Sequence, residues 1–136
     1  FEPVADDGRR YRFRAQKMPG QIVDLLHVPA GPWGTMGAGT VHHVAFRAAD
    51  DEDQLRWQSE LEEAGHAVTE VRDRNYFHSI YFREPGGVLF EIATDPPGFA
   101  VDEPAESLGE RLMLPEWLEP TRNQIEAVLP PLEGAR

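Results

Sequence analysis

Two short segments constrain the fold of this chain more than any others: GTVHHVAF at 39–46 and GVLFEI at 87–92. Each begins with glycine and is rich in β-branched or aromatic residues, which predicts a β-strand. Because side chains alternate between the two faces of a strand, His43 lies on one face of the first and Glu91 on one face of the second. The opposite face of each strand is mainly apolar, apart from His42 at the start of the first, and could be covered by a helix.

A histidine and a carboxylate on neighbouring strands are two of the three ligands in the facial triad of non-haem Fe(II) oxygenases. The same residues have ordinary explanations as well. Adjacent histidines at a strand start are often polar edge residues, and a glutamate near a strand end is usually solvated or in a salt bridge. Spacing alone leaves both interpretations open.

A helical pattern lies between the two segments. Asp50 is a suitable N-cap, with Asp53 three residues further on, and acidic residues in the first turn favour the helix dipole. Gly65 suits the position that ends the helix. Four apolar residues at roughly helical spacing are expected to pack on the sheet: Leu55, Trp57, Leu61 and Ala64.

Two further strands are predicted at 66–72 and at 75–82, the second with several aromatic residues. A turn with Pro-Gly-Gly at 84–87 then leads into the strand that carries Glu91. From 40 to 94 the order is strand, helix, strand, strand, strand. This order indicates an α+β fold built from a βαβββ module.

The first part of the chain has a different pattern. Residues 1–9 are polar and indicate turns, whereas alternation at 11–15 and aliphatic residues at 22–26 predict two strands. Asp24 follows Gly20 by four residues, just as Glu91 follows a glycine by four. We therefore interpret residues 11–28 as the last strands of another copy of the module.

This repeat predicts three regions. Residues 1–37 are the end of a preceding partial module with its linker, 38–98 are the βαβββ module, and 99–136 are an acidic tail. A short helix with proline at its first position is expected at Pro120–Leu129. The simplest expectation is that the chain is the C-terminal portion of a protein built from repeated modules.

Composition argues against several classes of protein and several kinds of site. The formal net charge is −11, with 24 acidic residues against 13 Lys and Arg, which argues against a general nucleic-acid binder. The absence of cysteine excludes disulfides, zinc–thiolate sites and a Cys nucleophile. No apolar run approaches the roughly 18 residues of a membrane span, and no signal peptide is visible, so a cytoplasmic protein is expected.

GTVHHVAF, RNYFHSIYFREPGGVLFEIATDPPGF and the tail LGERLMLPEWLEPTRNQIEAVLPPL together resemble the vicinal-oxygen-chelate superfamily of glyoxalase, bleomycin-resistance and extradiol dioxygenase proteins. Within it, they are most similar to ring-cleaving dioxygenases of the hydroquinone branch. The resemblance covers nearly the whole chain. It implies a cup of eight strands, formed by two βαβββ units, with a metal ion inside.

In the hydroquinone branch the ligands are two histidines and one glutamate. The resemblance implies that His43 and Glu91 are metal ligands and that the remaining histidine comes from the preceding unit. Asp24 occupies the place of Glu91 in the partial unit but is not expected to be a ligand. Three further histidines match no motif and are expected to be surface or packing residues: His27, His66 and His78.

The resemblance also assigns pocket positions with catalytic roles to Tyr81, Arg74 and His42. Without it, Tyr81 could be a plain core aromatic and Arg74 a surface charge. Strict alternation turns His42 away from the cup, so this residue would need a bulge or an opening at the strand edge.

The implied activity is Fe(II)-dependent, extradiol-type cleavage of a dihydroxylated aromatic ring, of hydroquinone or catechol type, with O₂. Mn(II) or another divalent metal could replace iron. Alternatives are a glyoxalase-like enzyme on a redox-inert metal and a small-molecule binding module without catalysis. The expected partners are an aromatic diol, O₂, and either the N-terminal module or a second copy of the chain.

Overall fold

The computed structural model describes residues 1–15, 21–31 and 35–130. Gly20, which the repeat comparison uses, lies outside these ranges. The chain forms two compact units, Phe1–Thr40 and Val41–Arg136.

The first unit contains a three-stranded antiparallel sheet. Its strands are β1 (Glu2–Asp6), β2 (Arg10–Arg14) and β3 (Ile22–Leu26), in the order β1-β2-β3. The strands predicted at 11–15 and 22–26 are present, but the prediction of turns throughout 1–9 is wrong. Every residue of β1 is exposed, so this strand has no buried apolar face that a sequence pattern could reveal.

The second unit contains the βαβββ module. Strand β4 (Val44–Arg47) is followed by helix α1 (Asp51–Glu63) and by the strands β5 (Arg72–Asp73), β6 (His78–Arg83) and β7 (Leu89–Ala93). The sheet order is β4-β7-β6-β5, with β4 parallel to β7 and the other neighbours antiparallel. The predicted α+β class and element order are confirmed.

Helix α1 begins and ends as its sequence predicts. The side chain of Asp50 accepts a hydrogen bond of 2.8 Å from the backbone N–H of Asp53, and Gly65 has a φ of 87° just beyond the C-cap. The expected packing face is partly wrong, because Trp57 is 40% exposed and Leu55 and Ala64 are also exposed.

The helix residue that is buried instead is Gln54. Its side-chain amide donates to the backbone carbonyls of His78 and Ile92, each at 2.8 Å, which fastens α1 to β6 and β7. The apolar core of this unit consists of Ala48, Ile80, Phe82 and Ile92, with Leu61, Val68 and Phe90 packed against it.

Two other predicted boundaries are wrong. The strand expected at 66–72 reduces to a single bridge between Val68 and Phe82, followed by the two residues of β5. The tail helix α2 spans Arg122–Val128, and Pro120 lies in a preceding 3₁₀ segment, Glu116–Thr121. Proline suits such a tight turn at a helix entry, so its position two residues earlier satisfies the same steric rule.

Two more short 3₁₀ segments, Phe99–Val101 and Ala105–Ser107, lie between β7 and α2. No helix within the described ranges is both long and apolar enough to cross a membrane.

Candidate metal centre

His43 and Glu91 face each other in the second unit. Strand β4 begins at Val44, so His43 lies one residue before it rather than within it, which corrects the predicted strand boundary. Ala45 pairs with Glu91 in the parallel β4–β7 ladder, and this register brings His43 alongside the carboxylate. His43 Nε2 and Glu91 Oε2 are 2.7 Å apart.

Glu91 is almost completely buried, with 3% of its surface exposed. A buried carboxylate is costly unless hydrogen-bond donors surround it. The hydroxyl of Tyr81 donates to Glu91 Oε1 at 2.9 Å, and the hydroxyl of Ser79 donates to the same oxygen. Tyr81 lies directly opposite Glu91 in the antiparallel β6–β7 ladder, which accounts for this contact.

Arg74 extends the contacts beyond Tyr81. Its Nε donates to the Tyr81 hydroxyl oxygen at 3.3 Å, and its guanidinium carbon lies 5.3 Å from the centre of the tyrosine ring. The turn between β5 and β6 holds this arginine in place. The backbone N–H of Arg74 donates to the carbonyl of Phe77 at 2.9 Å, and Asn75 adopts a positive φ of 66°.

His42 completes the group from the other end. Its Nδ1 lies 2.8 Å from His43 Nδ1, so one ring donates a hydrogen bond and the other accepts it. Strict alternation predicts that His42 points away from the site unless the strand bulges. The structure shows an opening at the strand edge, because both histidines precede β4 and strand alternation does not apply to them.

Arg74, Tyr81, Glu91, His43 and His42 therefore form one continuous series of contacts. These are the five site residues named in the sequence analysis. Sequence reasoning missed Ser79 as a site residue, although it shares strand parity with Tyr81 on β6 and so lies on the same face as Glu91. The parity is readable in the sequence, but the contact depends on the β6–β7 register.

The remaining histidines have other environments. His78 Nδ1 lies 2.8 Å from Asp51 Oδ1, and the hydrogen bond to this carboxylate raises the pKa of His78 above its usual value. The ring of His66 packs against Phe82, with ring centres 5.5 Å apart. His27 is exposed.

His43 Nε2 and Glu91 Oε2 could form part of a metal site. An imidazole nitrogen and a carboxylate oxygen are both ligands for divalent iron, manganese or zinc. Two ligand atoms about 2.1 Å from a metal and at right angles lie roughly 3 Å apart, close to the His43–Glu91 separation. Within the described ranges, no group of three or more His, Asp or Glu residues could hold a metal ion.

Comparison with known proteins gives the family. Residues 4–92 match the model of the Glyoxalase/Bleomycin resistance protein/Dioxygenase superfamily. The chain belongs to this superfamily. A solved structure from Bacillus subtilis subsp. subtilis str. 168, described as a "putative dioxygenase", has a TM-score of 0.90 and 57% identity, covering 99% of this chain and 43% of that one.

Two superfamily members of similar sequence have named activities. The chain is 58% identical over 133 residues to the Bacillus subtilis (strain 168) protein "Putative ring-cleaving dioxygenase MhqO", covering 98% of this chain and 42% of that protein. It is 37% identical over 131 residues to the chlorohydroquinone/hydroquinone 1,2-dioxygenase of Sphingobium indicum, covering 92% and 40%. The chain thus spans about two fifths of the length of these relatives.

Proposed function

We propose that this chain carries two metal ligands and the surrounding acid–base groups of an Fe(II)-dependent ring-cleaving dioxygenase acting on dihydroxylated aromatics. The observation that carries the proposal is the 2.7 Å hydrogen-bonded contact between His43 Nε2 and Glu91 Oε2, two atoms that a metal ion can bind in place of the shared proton, with the carboxylate buried. The named activities of the relatives support the choice of reaction.

His43 and Glu91 would hold the iron. Bound there, Fe(II) would supply Lewis-acid chemistry and open positions for a phenolate and for dioxygen. The carboxylate brings one negative charge, which balances part of the charge of the cation. Because Glu91 is buried and its second oxygen already accepts two hydrogen bonds, its ligand geometry is fixed before any metal arrives.

Three neighbouring side chains would handle the substrate. Tyr81 can give or take a proton at its hydroxyl, and Arg74 donates a hydrogen bond to that oxygen and so orients it. His42 is exposed and bonded through Nδ1 to His43, so its ring can fix the orientation of His43 and exchange a proton with solvent.

A third protein ligand would come from outside the pair. In this proposal another βαβββ unit supplies it, either a preceding module or a second copy of this chain. A symmetric pair of copies would offer two His43 and two Glu91 side chains, a ligand set different from two histidines and one glutamate.

The test is anaerobic calorimetric titration of the protein with Fe(II), read beside its mass in solution and followed by oxygen uptake with methylhydroquinone. One iron per chain or per dimer, with oxygen consumption and a ring-opened product, supports the proposal. Tight metal binding without oxygen uptake would overturn it in favour of a redox-inert, glyoxalase-like enzyme. Absence of iron binding in every assembly state would indicate a binding module.

A further inference from the structure

The two oxygens of Glu91 have separate sets of partners. Oε1 accepts hydrogen bonds from Ser79 and Tyr81, whereas Oε2 faces His43 Nε2. Ser79 is completely buried, at 0% exposure, while Tyr81 is half-buried. The two donors on Oε1 therefore differ in how freely they can leave the carboxylate.

We propose that Ser79 is a positioning residue that holds Glu91 as a one-oxygen metal ligand independently of Tyr81. This inference rests on the proposed function, in which Glu91 binds iron. It assigns to Tyr81 the movement of protons and to Ser79 the constant orientation of the ligand.

The rotamer preferences of a glutamate side chain do not fix the orientation of its carboxylate plane. The terminal sp³–sp² rotation is broad, so hydrogen bonds decide how the plane of Glu91 is set. A donor on Oε1 that never leaves keeps the lone pairs of Oε2 directed towards His43. Ser79 has a short, fully buried side chain on β6, opposite Ala93 in the ladder, so its hydroxyl has little room to move.

Tyr81 is unsuited to be the permanent donor. Its hydroxyl carries a single proton and also accepts a hydrogen bond from Arg74 Nε at 3.3 Å. If this proton passes to or from a substrate, the bond from Tyr81 to Glu91 is interrupted. With Ser79 in place, Oε1 keeps one donor through that step.

The experiment compares two removals of a hydroxyl on β6. Ser79→Ala should weaken Fe(II) binding, measured anaerobically by calorimetry, by roughly 10- to 100-fold. Tyr81→Phe should leave the affinity close to that of the wild type and instead lower turnover. Ser79→Cys, which keeps the approximate size but is a weak donor, should behave like Ser79→Ala.

Thr94→Val is the matched control. Thr94 is also buried, but its hydroxyl serves the backbone: it accepts from the N–H of His78 at 3.0 Å and donates to the carbonyl of Pro96 at 3.4 Å. This variant loses a buried hydroxyl next to the same strands, so it measures the general cost of such a loss. Equal weakening of iron binding in Thr94→Val and Ser79→Ala would overturn the positioning role.

A second readout needs no metal. In crystals of the metal-free protein, Glu91 should direct Oε2 towards His43 in the wild type and in Tyr81→Phe, where Ser79 remains, and should rotate or become disordered in Tyr81→Phe combined with Ser79→Ala. An unmoved carboxylate in that variant overturns the inference, whether or not the protein binds iron. Wild-type iron binding and turnover together with an unaffected Ser79→Ala variant would reject the role of Ser79 alone. Failure of the wild type to bind iron, both alone and joined to a preceding module, would reject the proposed function.

Discussion

Asp24 and Glu91 each lie on the last strand, in chain order, of their own sheet, but their side chains have partners of opposite kind. Asp24 is bound by two arginines: Arg12 Nε and Nη2 lie 2.7 Å from its two oxygens, and Arg10 Nη1 lies 2.7 Å from Oδ2. Glu91 instead accepts from two hydroxyls and faces a histidine. Both carboxylate oxygens of Asp24 are therefore already paired with guanidinium groups.

This arrangement predicts how the first sheet responds to acid. The hydrogen bond from Arg12, with the added contact of Arg10, holds the pKa of Asp24 well below its usual range. A lowered carboxyl pKa contributes stability above the unfolded value of about 3.8, and that stability is lost as the pH falls through the folded value. Hydrogen exchange of the β2–β3 amides, corrected for the intrinsic rate, should therefore lose protection only in strong acid, and Asp24→Asn should remove this dependence.

Removing one metal ligand should abolish metal binding without unfolding the chain. Glu91→Gln keeps the shape of the side chain and an oxygen for Ser79 and Tyr81, but removes the charge that balances the cation. His43→Ala removes the facing nitrogen from a partly exposed position. Calorimetry with Fe(II) should detect no binding in either variant. Binding at wild-type affinity in both would contradict their role as ligands.

Arg74→Met should lower turnover by roughly 10- to 100-fold while iron content stays unchanged. The guanidinium donates to the Tyr81 hydroxyl oxygen and lies over the tyrosine ring, so its loss should change how that hydroxyl is oriented beside Glu91. Arg72→Met is a matched control, since this exposed arginine lies two residues earlier in the same hairpin. Steady-state oxygen uptake measures both, and equal losses would show that only net charge matters.

Gln54→Ala should reduce the free energy of unfolding by about 2 kcal/mol, because it removes the two hydrogen bonds that the buried Gln54 amide donates to strands β6 and β7. Gln58→Ala serves for comparison, because Gln58 donates to one carbonyl, that of Thr69, at 2.7 Å in a partly buried setting. Its expected cost is about 1 kcal/mol. Urea unfolding of the two variants should preserve this order.

His78 and Asp51 should make stability depend on pH near neutrality. The hydrogen bond and charge of Asp51 raise the pKa of His78 above its ordinary value of 6.5. A raised histidine pKa contributes stability that is fully present below the unfolded value and is lost as the pH rises through the folded value. Urea unfolding from mildly acidic to mildly alkaline pH should show this loss in the wild type, and Asp51→Asn should flatten it. Identical curves would exclude the pair as the cause.

The sequence predicts those parts of the site that depend only on the alternation of side chains along one strand. The parity of Tyr81 and Glu91 follows from counting along each strand, and the structure pairs these residues directly. His42 is harder, since its direction depends on where β4 begins, and the hydrogen bond between the His42 and His43 rings forms outside the strand. The contact between Ser79 and Glu91 depends on the register between β6 and β7, and this register cannot be read from the sequence of either strand alone.

Elsewhere, burial is the difficulty. Trp57 fits an apolar helical pattern yet is exposed, while polar Gln54 is buried because two carbonyls accept its amide hydrogens. A hydrophobic pattern identifies a helix but cannot anticipate a polar side chain that is satisfied by backbone groups of other strands. Strand β1 cannot be predicted from a hydrophobic pattern either, because every one of its residues is exposed. It is a strand only through its pairing with β2.

The sheet order has a consequence for synthesis on the ribosome. Strand β7 is the last of the module's strands to be made but lies inside the sheet, between β4 and β6. A nascent chain that ends before Leu89 can form the β5–β6 hairpin, but β4 then lacks its neighbour in the sheet and His43 has no Glu91 to meet. The sheet of the module therefore cannot be completed before β7 has been made, and truncated translation products that end before Leu89 lack the His43–Glu91 pair.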